Sequence, residues 1–264
     1  MTQRAAVIGW PIQQSKSPAM MNAAFRALGI DAEMVPLAVR PEEFARTVAE
    51  LRSLPMLGAS VTIPHKVSAH QLCDRVDAAA RATGAVNCLA LEGDRLVGHN
   101  TDAVGFVDSL GEAGFVLRGT RVVILGAGGA ARAIAYGVEV AGARLQVFSR
   151  SQVNWIEAQP YTDMTATFAT ADLIVDCTPT GLDPDRETEF VATLPLDQLP
   201  THAWVATLIY NRQTLLLQRA RTLGHTAIDG RAMLVHQGAH AFAFWTGRAA
   251  PIAEMKRALD LSLV

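Results

Sequence analysis

The stretch VVILGAGGAARAIAYG, residues 122–137, decides the fold. An apolar run at 121–125 reads as a buried strand, and an apolar helical pattern follows from 128 to 141. Between them Gly126-Ala127-Gly128-Gly129-Ala130-Ala131 fits G-x-G-x-x-G/A. The first glycine permits a tight turn, the second lets a pyrophosphate approach the backbone, and the small third position lets helix and strand pack closely. Phosphate charge then meets the unpaired N–H groups of the helix start. A tight strand–helix turn alone would use the same glycines. What favours a dinucleotide is that strand, loop, helix and a next strand at 144–148 all stand in order. That next strand ends in Phe148-Ser149-Arg150-Ser151. An NAD site carries an acid there for the ribose 2′-hydroxyl, whereas Arg150 can pair with a 2′-phosphate and the serine hydroxyls can donate to it. NADP is favoured over NAD, against the plainer reading of Arg150 as a solvated surface residue.

Outward from this unit, short β-like runs alternate with longer helical patterns, the mark of an α/β chain with parallel strands. Strands are expected at 5–9, 33–37, 59–63, 172–177 and 204–209, with a hairpin of 87–91 and 96–99 across Gly93-Asp94. Ser17-Pro18 opens a helix with Ser17 as N-cap, and Gly29 closes it. Further helices are expected from Pro41, over 102–110, over 231–245 and over 251–261, with turn residues of a junction at 111–119. The segment 151–172 looks too short, and too poor in helix formers, for the usual helix plus strand. The expected architecture is two α/β domains with a cleft between them. Residues 1–102 plus 238–264 form a substrate domain with a mainly parallel sheet, and 103–237 a Rossmann-like NADP-binding domain.

Composition narrows the function classes. The chain has 264 residues, 50% of them hydrophobic and 18% charged, with a formal net charge of -2. That size permits one large domain or two modest ones, and that charge gives no reason to expect nucleic acid or an anionic membrane as partner. Cys73, Cys88 and Cys177 are widely spaced and odd in number, which fits reduced thiols better than a disulfide framework. The apolar run near the N-terminus is too short for a signal peptide, so a cytoplasmic location is expected. Monomer and homodimer both stay open. No Gly-x-Ser-x-Gly motif supports a serine hydrolase. His236 and His240 have a metal-capable spacing, but Gln237 stands between them and no metal is expected.

Several polar clusters fall where strands end, which is where open α/β sheets place ligands. They are Ser15-Lys16-Ser17, Ser60-Val61-Thr62-Ile63-Pro64-His65-Lys66, Gly84-Ala85-Val86-Asn87 and Asn100-Thr101-Asp102. Each alone has a plain reading as cap, strand or turn. Taken in order with Gly9-Trp10-Pro11-Ile12, Pro18 and Asn22, the glycine loop, Tyr210-Asn211, Gly230-Arg231-Ala232-Met233-Leu234-Val235-His236-Gln237 and Phe244-Trp245-Thr246-Gly247, the series resembles the shikimate dehydrogenase family over nearly the whole chain.

The resemblance implies Lys66 and Asp102 as the catalytic pair. It implies Ser15, Ser17, Thr62, Asn87, Asp102, Tyr210 and Gln237 as ligands of a small ring hydroxy acid. It also implies Gly126, Ala127, Gly128, Gly129, Ala130, Ser149, Arg150, Ser151, Leu208, Gly230 and Met233 around NADP. The expected reaction is NADP-dependent interconversion of 3-dehydroshikimate and shikimate, since ketone reduction needs a hydride on one side and a proton donor on the other. Departures from the family pattern stand at Gln14, Ser60, Cys88, Ala103, Thr207 and Ser149-Arg150-Ser151. They keep quinate, an aminoshikimate or another cyclic hydroxy acid open as substrate, and a non-catalytic NADP-binding sensor open as the rival class.

Overall fold

The computed structural model describes residues 2–52, 54–162 and 164–263. In chain order it forms β1 (Gln3–Gly9), α1 (Ser17–Ala27), β2 (Ala32–Ala38), α2 (Phe44–Leu51), β3 (Met56–Val61), α3 (Lys66–Leu72), β4 (Arg75–Val76), α4 (Ala78–Thr83), β5 (Cys88–Glu92), β6 (Arg95–His99) and α5 (Thr101–Glu112). Then come β7 (Arg121–Leu125), α6 (Gly129–Val140), β8 (Arg144–Phe148), α7 (Thr165–Phe168), β9 (Leu173–Asp176), α8 (Pro184–Thr193), β10 (Trp204–Thr207), α9 (Leu215–Thr222) and β11 (Thr226–Ile228). Helices α10 (Arg231–Thr246) and α11 (Ile252–Ser262) close the chain. Among the described residues no helix is long and apolar enough to cross a membrane.

Two compact units result, Met1–Phe106 with Leu234–Val264, and Val107–Met233. The sequence boundaries at 102/103 and 237/238 each differ from this division by four residues. The chain passes between units inside α5 and α10, not at the glycine-rich 111–119, because both helices run on past the junction. Gln237 therefore belongs to the first unit.

The first unit's sheet has the order β2-β1-β3-β5-β6-β4. Strands β2, β1 and β3 are parallel, β5 runs antiparallel to β3 and β6, and β4 is parallel to β6. Central β1 is fully buried from Ala5 to Ile8, as a strand covered on both faces must be. One face packs Met20, Phe25 and Phe242 with Met255, and the other packs Phe44, Val48, Leu89 and Leu96. Edge position lets β2 carry Pro36, where a ladder N–H can be spared. Ser17 is not the N-cap: Lys16 holds that position, and the Ser15 Oγ accepts from the Ser17 N–H at 3.4 Å. Strand β3 stops at Val61, not Ile63, because Thr62 to His65 turn, with the His65 N–H donating to the Thr62 carbonyl at 2.9 Å.

The second unit's sheet is all parallel in the order β11-β10-β9-β7-β8. Counted by sequence from β7 this is a 2-1-3-4-5 sheet, and its strand order reverses between β7 and β9, the place where such sheets bind ligands. Its core gathers Leu125, Phe148, Phe168, Ile174, Val205 and Leu217. Outside β8, where a six-stranded dinucleotide fold would add another strand, the chain returns, among the described residues, as a single bridge between Phe148 and Gln159. Strand β10 ends at Thr207, so Leu208 and Ile209 lie in the following loop rather than in the expected strand.

Candidate active site

Backbone pairing collects the first unit's polar clusters along one sheet edge. The Thr62 N–H donates to the Ile8 carbonyl at 2.9 Å, and the Trp10 N–H to the Ile63 carbonyl at 3.0 Å, joining the loops after β1 and β3. The Val61 N–H donates to the Asn87 carbonyl at 2.8 Å, and the Asn87 N–H to the His99 carbonyl at 3.0 Å. Antiparallel β5 thus begins where parallel β3 and β6 end. The turns bearing Thr62, Lys66, Asn87 and Asp102 become neighbours for that reason.

Their side chains form a continuous network. Lys66 Nζ donates to Asp102 Oδ2 at 2.6 Å, with the lysine side chain 22% and the carboxylate 10% exposed. Asn87 Nδ2 donates to Asp102 Oδ1 at 2.9 Å and to Thr101 Oγ1 at 2.9 Å, and reaches Gln237 Oε1 at 3.4 Å. The Asn87 Oδ1 accepts from the Thr101 N–H at 2.7 Å. Both oxygens of Asp102 are thereby occupied, which fixes the carboxylate plane against the ammonium.

Around this pair stand supporting residues, of which the sequence had marked Asn100 and His65 within its polar clusters but neither Asp77 nor Gly105. Buried Asn100 caps α5, its Oδ1 accepting from the Asp102 and Ala103 N–H groups, while its Nδ2 donates to Thr83 Oγ1 and the Ala85 carbonyl. Asp77 caps α4 through the Ala80 N–H at 2.6 Å. His65 Nε2 lies 2.7 Å from the Val39 carbonyl, and its ring stacks on Phe44, anchoring the residue before Lys66. Gly105 is required by close approach, since a Cβ there would lie 2.6 Å from the Gln237 backbone nitrogen. The structure joins Lys66, Asn87, Asp102 and Gln237 directly. Ser15 and Thr62 lie in the loops after β1 and β3, and Ser17 opens α1.

In the second unit, Gly126 adopts φ +96°, and a Cβ on it would press within 3.1 Å of Thr178. Gly128, at φ -76°, caps α6, and nothing lies within 4 Å of a Cβ built on it or on Gly129. Open space thus faces the helix start at Gly128 and Gly129. Arg150 and Ser151 are exposed and Ser149 half-buried, with the Ser151 N–H donating to Ser149 Oγ at 3.3 Å. Leu208 and Gly230 meet: a Cβ on Gly230 would sit 2.1 Å from the Leu208 carbonyl oxygen. Tyr210 and Met233 are half-buried in this same unit.

Beneath the glycine turn, Asp176 ends β9 opposite Leu125 and is buried. Burial pushes its carboxyl up to about 6 despite hydrogen bonds from Thr178, and the Glu187 charge adds to the rise.

A parallel sheet with a glycine turn at its reversal point is the coenzyme half of a nicotinamide enzyme. The other unit holds the Lys66 ammonium on the Asp102 carboxylate, and the class that the coenzyme half defines is that of NAD(P)-dependent oxidoreductases. Residues 7–89 match the family profile described as the shikimate dehydrogenase substrate binding domain, and 230–259 that of the shikimate 5'-dehydrogenase C-terminal domain. The chain is 41% identical to the shikimate dehydrogenase (NADP(+)) of Symbiobacterium thermophilum, over 96% of its own length and 92% of the relative's. It is similar to a solved shikimate 5-dehydrogenase from Thermus thermophilus in complex with NADP(H) and shikimate, at 31% identity and a TM-score of 0.89, covering 98% of this chain and 99% of that one. A ligand-free 5-ketofructose reductase of a Gluconobacter species is also similar, at 30% identity and a TM-score of 0.86, covering 99% of each chain. The chain belongs to the shikimate dehydrogenase family.

Proposed function

We propose that the chain is an NADP-dependent shikimate dehydrogenase in which Lys66 is the general acid and base and Asp102 its partner. The observation that carries this reading is the 2.6 Å contact of Lys66 Nζ with a carboxylate whose second oxygen is held by Asn87. NADPH, when bound, supplies the hydride for the carbonyl carbon of 3-dehydroshikimate. As charge develops on the carbonyl oxygen, the Lys66 ammonium gives it a proton and becomes a neutral amine, which solvent reprotonates. In the oxidative direction the neutral amine takes the hydroxyl proton. Asp102 orients the donor. Ser15, Ser17, Thr62, Asn87, Gln237 and Tyr210 bind the ring hydroxyls and the carboxylate.

The glycine turn fits a pyrophosphate. Gly128 has a backbone conformation open to any residue and no neighbour to avoid, so a ligand is what its missing side chain serves. Gly126, Ala127, Gly129 and Ala130 complete the turn. Ser149, Arg150 and Ser151 receive the 2′-phosphate, and Leu208, Gly230 and Met233 flank the nicotinamide. Gly128→Ala is therefore expected to keep the wild-type melting temperature while raising the NADP+ Kd about tenfold or more, since a methyl group displaces the phosphate. Gly126→Ala is expected to lower both stability and affinity, because φ +96° strains any side chain. Thermal melts and NADPH fluorescence titration check the pair, and equal effects of the two variants would contradict the assignment.

A different polyhydroxylated ketone is the second reading, favoured by the likeness to a 5-ketofructose reductase. Shikimate, quinate and an aminoshikimate, each offered with NADP+ and with NAD+, separate the readings by nicotinamide absorbance. Shikimate with NADP+ is expected to give the highest kcat/KM. A higher value for another alcohol would replace the substrate, and no reduction with any pair would favour a non-catalytic sensor.

A further inference from the structure

Between β8 and α7 the chain forms an arch in place of a helix. Residues 149–159 leave the end of β8 and return to it, and the base is closed by Ser149 N–H to the Gln159 carbonyl at 2.9 Å and Gln159 N–H to the Val147 carbonyl at 2.8 Å. Gln152 Nε2 braces the interior on the Ala158 carbonyl at 3.2 Å. Closely spaced ends and internal bracing are the features of a compact Ω-loop rather than a loose connection. At its outer end Trp155 reaches the glycine turn, its Nε1–H donating to the Ala127 carbonyl at 3.2 Å. Beyond the arch, Tyr161 packs on Phe148 and edge-on against Phe190.

We infer that Trp155 is the adenine platform of the coenzyme site, the arch serving as the adenosine-side wall that the missing strand and helix would otherwise supply. This deepens the NADP reading above and rests on it. With the pyrophosphate at the start of α6 and the 2′-phosphate at Arg150, the ribose is fixed between the turn and the first residues of the arch. The base attached to that ribose then has the arch as its nearest wall. Trp155 is the arch residue tied to the turn itself, and its ring is only partly covered. An indole pinned through its N–H is a rigid plane with little rotamer entropy left to lose on binding. Stacking of a base on such a ring is worth roughly 1–3 kcal/mol, or about 5- to 150-fold in Kd.

Binding measurements on the full-length protein test this, using Trp155→Ala and Trp155→Phe. Titration with NADPH is followed by energy transfer from tryptophan to the bound dihydronicotinamide, and 2′,5′-ADP and nicotinamide mononucleotide serve as half-ligand probes. Trp155→Ala is expected to raise the Kd of NADPH and of 2′,5′-ADP by the same factor, about tenfold or more, and to leave nicotinamide mononucleotide and the KM for shikimate unchanged. Trp155→Phe keeps a ring and loses the donor, so it is expected to weaken NADPH only a few-fold while removing a large share of the energy transfer. Should Trp155→Ala fail to fold, the Trp155→Phe signal still decides. Unchanged energy transfer in Trp155→Phe, or unchanged 2′,5′-ADP affinity in a folded Trp155→Ala, would overturn the platform and leave the NADP reading standing. A wild-type protein that binds no NADPH would overturn both.

Discussion

Lys66→Ala is expected to lower kcat for shikimate oxidation by roughly 10²–10⁴-fold, the usual contribution of a positioned proton-transfer group, while shikimate Kd changes far less. The expectation follows from the geometry of the pair. Lys66 occupies the first turn of α3, its ammonium sits on Asp102 at 2.6 Å, and Asn87 holds the opposite oxygen of that carboxylate. On the proposed roles, Asn87 and Gln237 still bind the substrate in Lys66→Ala, while the amine that takes the hydroxyl proton is gone. Lys66→Arg is expected to be as slow, because a guanidinium keeps its proton throughout the useful pH range. Steady-state rates with NADP+, together with shikimate binding by calorimetry, check both variants. Wild-type turnover in Lys66→Ala with binding intact would remove Lys66 from the mechanism.

Asp176→Asn is expected to stabilise the protein by up to about 3 kcal/mol above neutrality and by almost nothing near pH 4. Burial lifts the Asp176 carboxyl from 3.8 to about 6. A raised native value means that the folded state binds this proton more tightly than the unfolded one. The associated stability is complete below 3.8, declines as pH rises through the ordinary and then the native value, and is lost above about 6. Asparagine keeps the acceptor for the Thr178 N–H, which Asp176 Oδ1 holds at 2.9 Å, and carries no charge. The neighbouring groups do not mimic this titration. Burial holds the Cys177 thiol well above its ordinary value and the Tyr161 phenol at about 12. Melting curves of both proteins from acid to mildly alkaline pH should converge at the acid end and separate by several degrees at the other. Parallel curves would contradict the buried-carboxyl account.

Legibility in the sequence followed the range of the interactions. Strands β7 and β8 were readable to the residue, because a glycine turn, an apolar run and a helical period all lie within one short window. Lys66 and Asp102 were readable as a pair only through the family resemblance. Their contact depends on the β5–β6 hairpin running antiparallel and delivering Asn87 and Asp102 to the end of β3. Helix α4 had usable signals in Asp77 at its N-cap and Gly84, at φ +61°, after its end, and these passed unread. Two-residue β4 had none. Asp176 looks like any acid at a strand terminus, and its burial depends on what β10 and α8 bring over it. Nothing periodic marks Trp155, whose bond to Ala127 is a property of the folded arch alone.

The bridge at Gln159 also governs how molecules of this protein treat one another. Strand β8 is the outermost of its sheet, and an uncovered outer strand invites pairing with a strand from a neighbouring molecule. Gln159 already engages the Val147 carbonyl and the Ser149 amide, so those two groups are closed to a stranger. Trimming the arch to retune coenzyme choice must therefore keep Gln159 in place, or solubility will fall together with affinity.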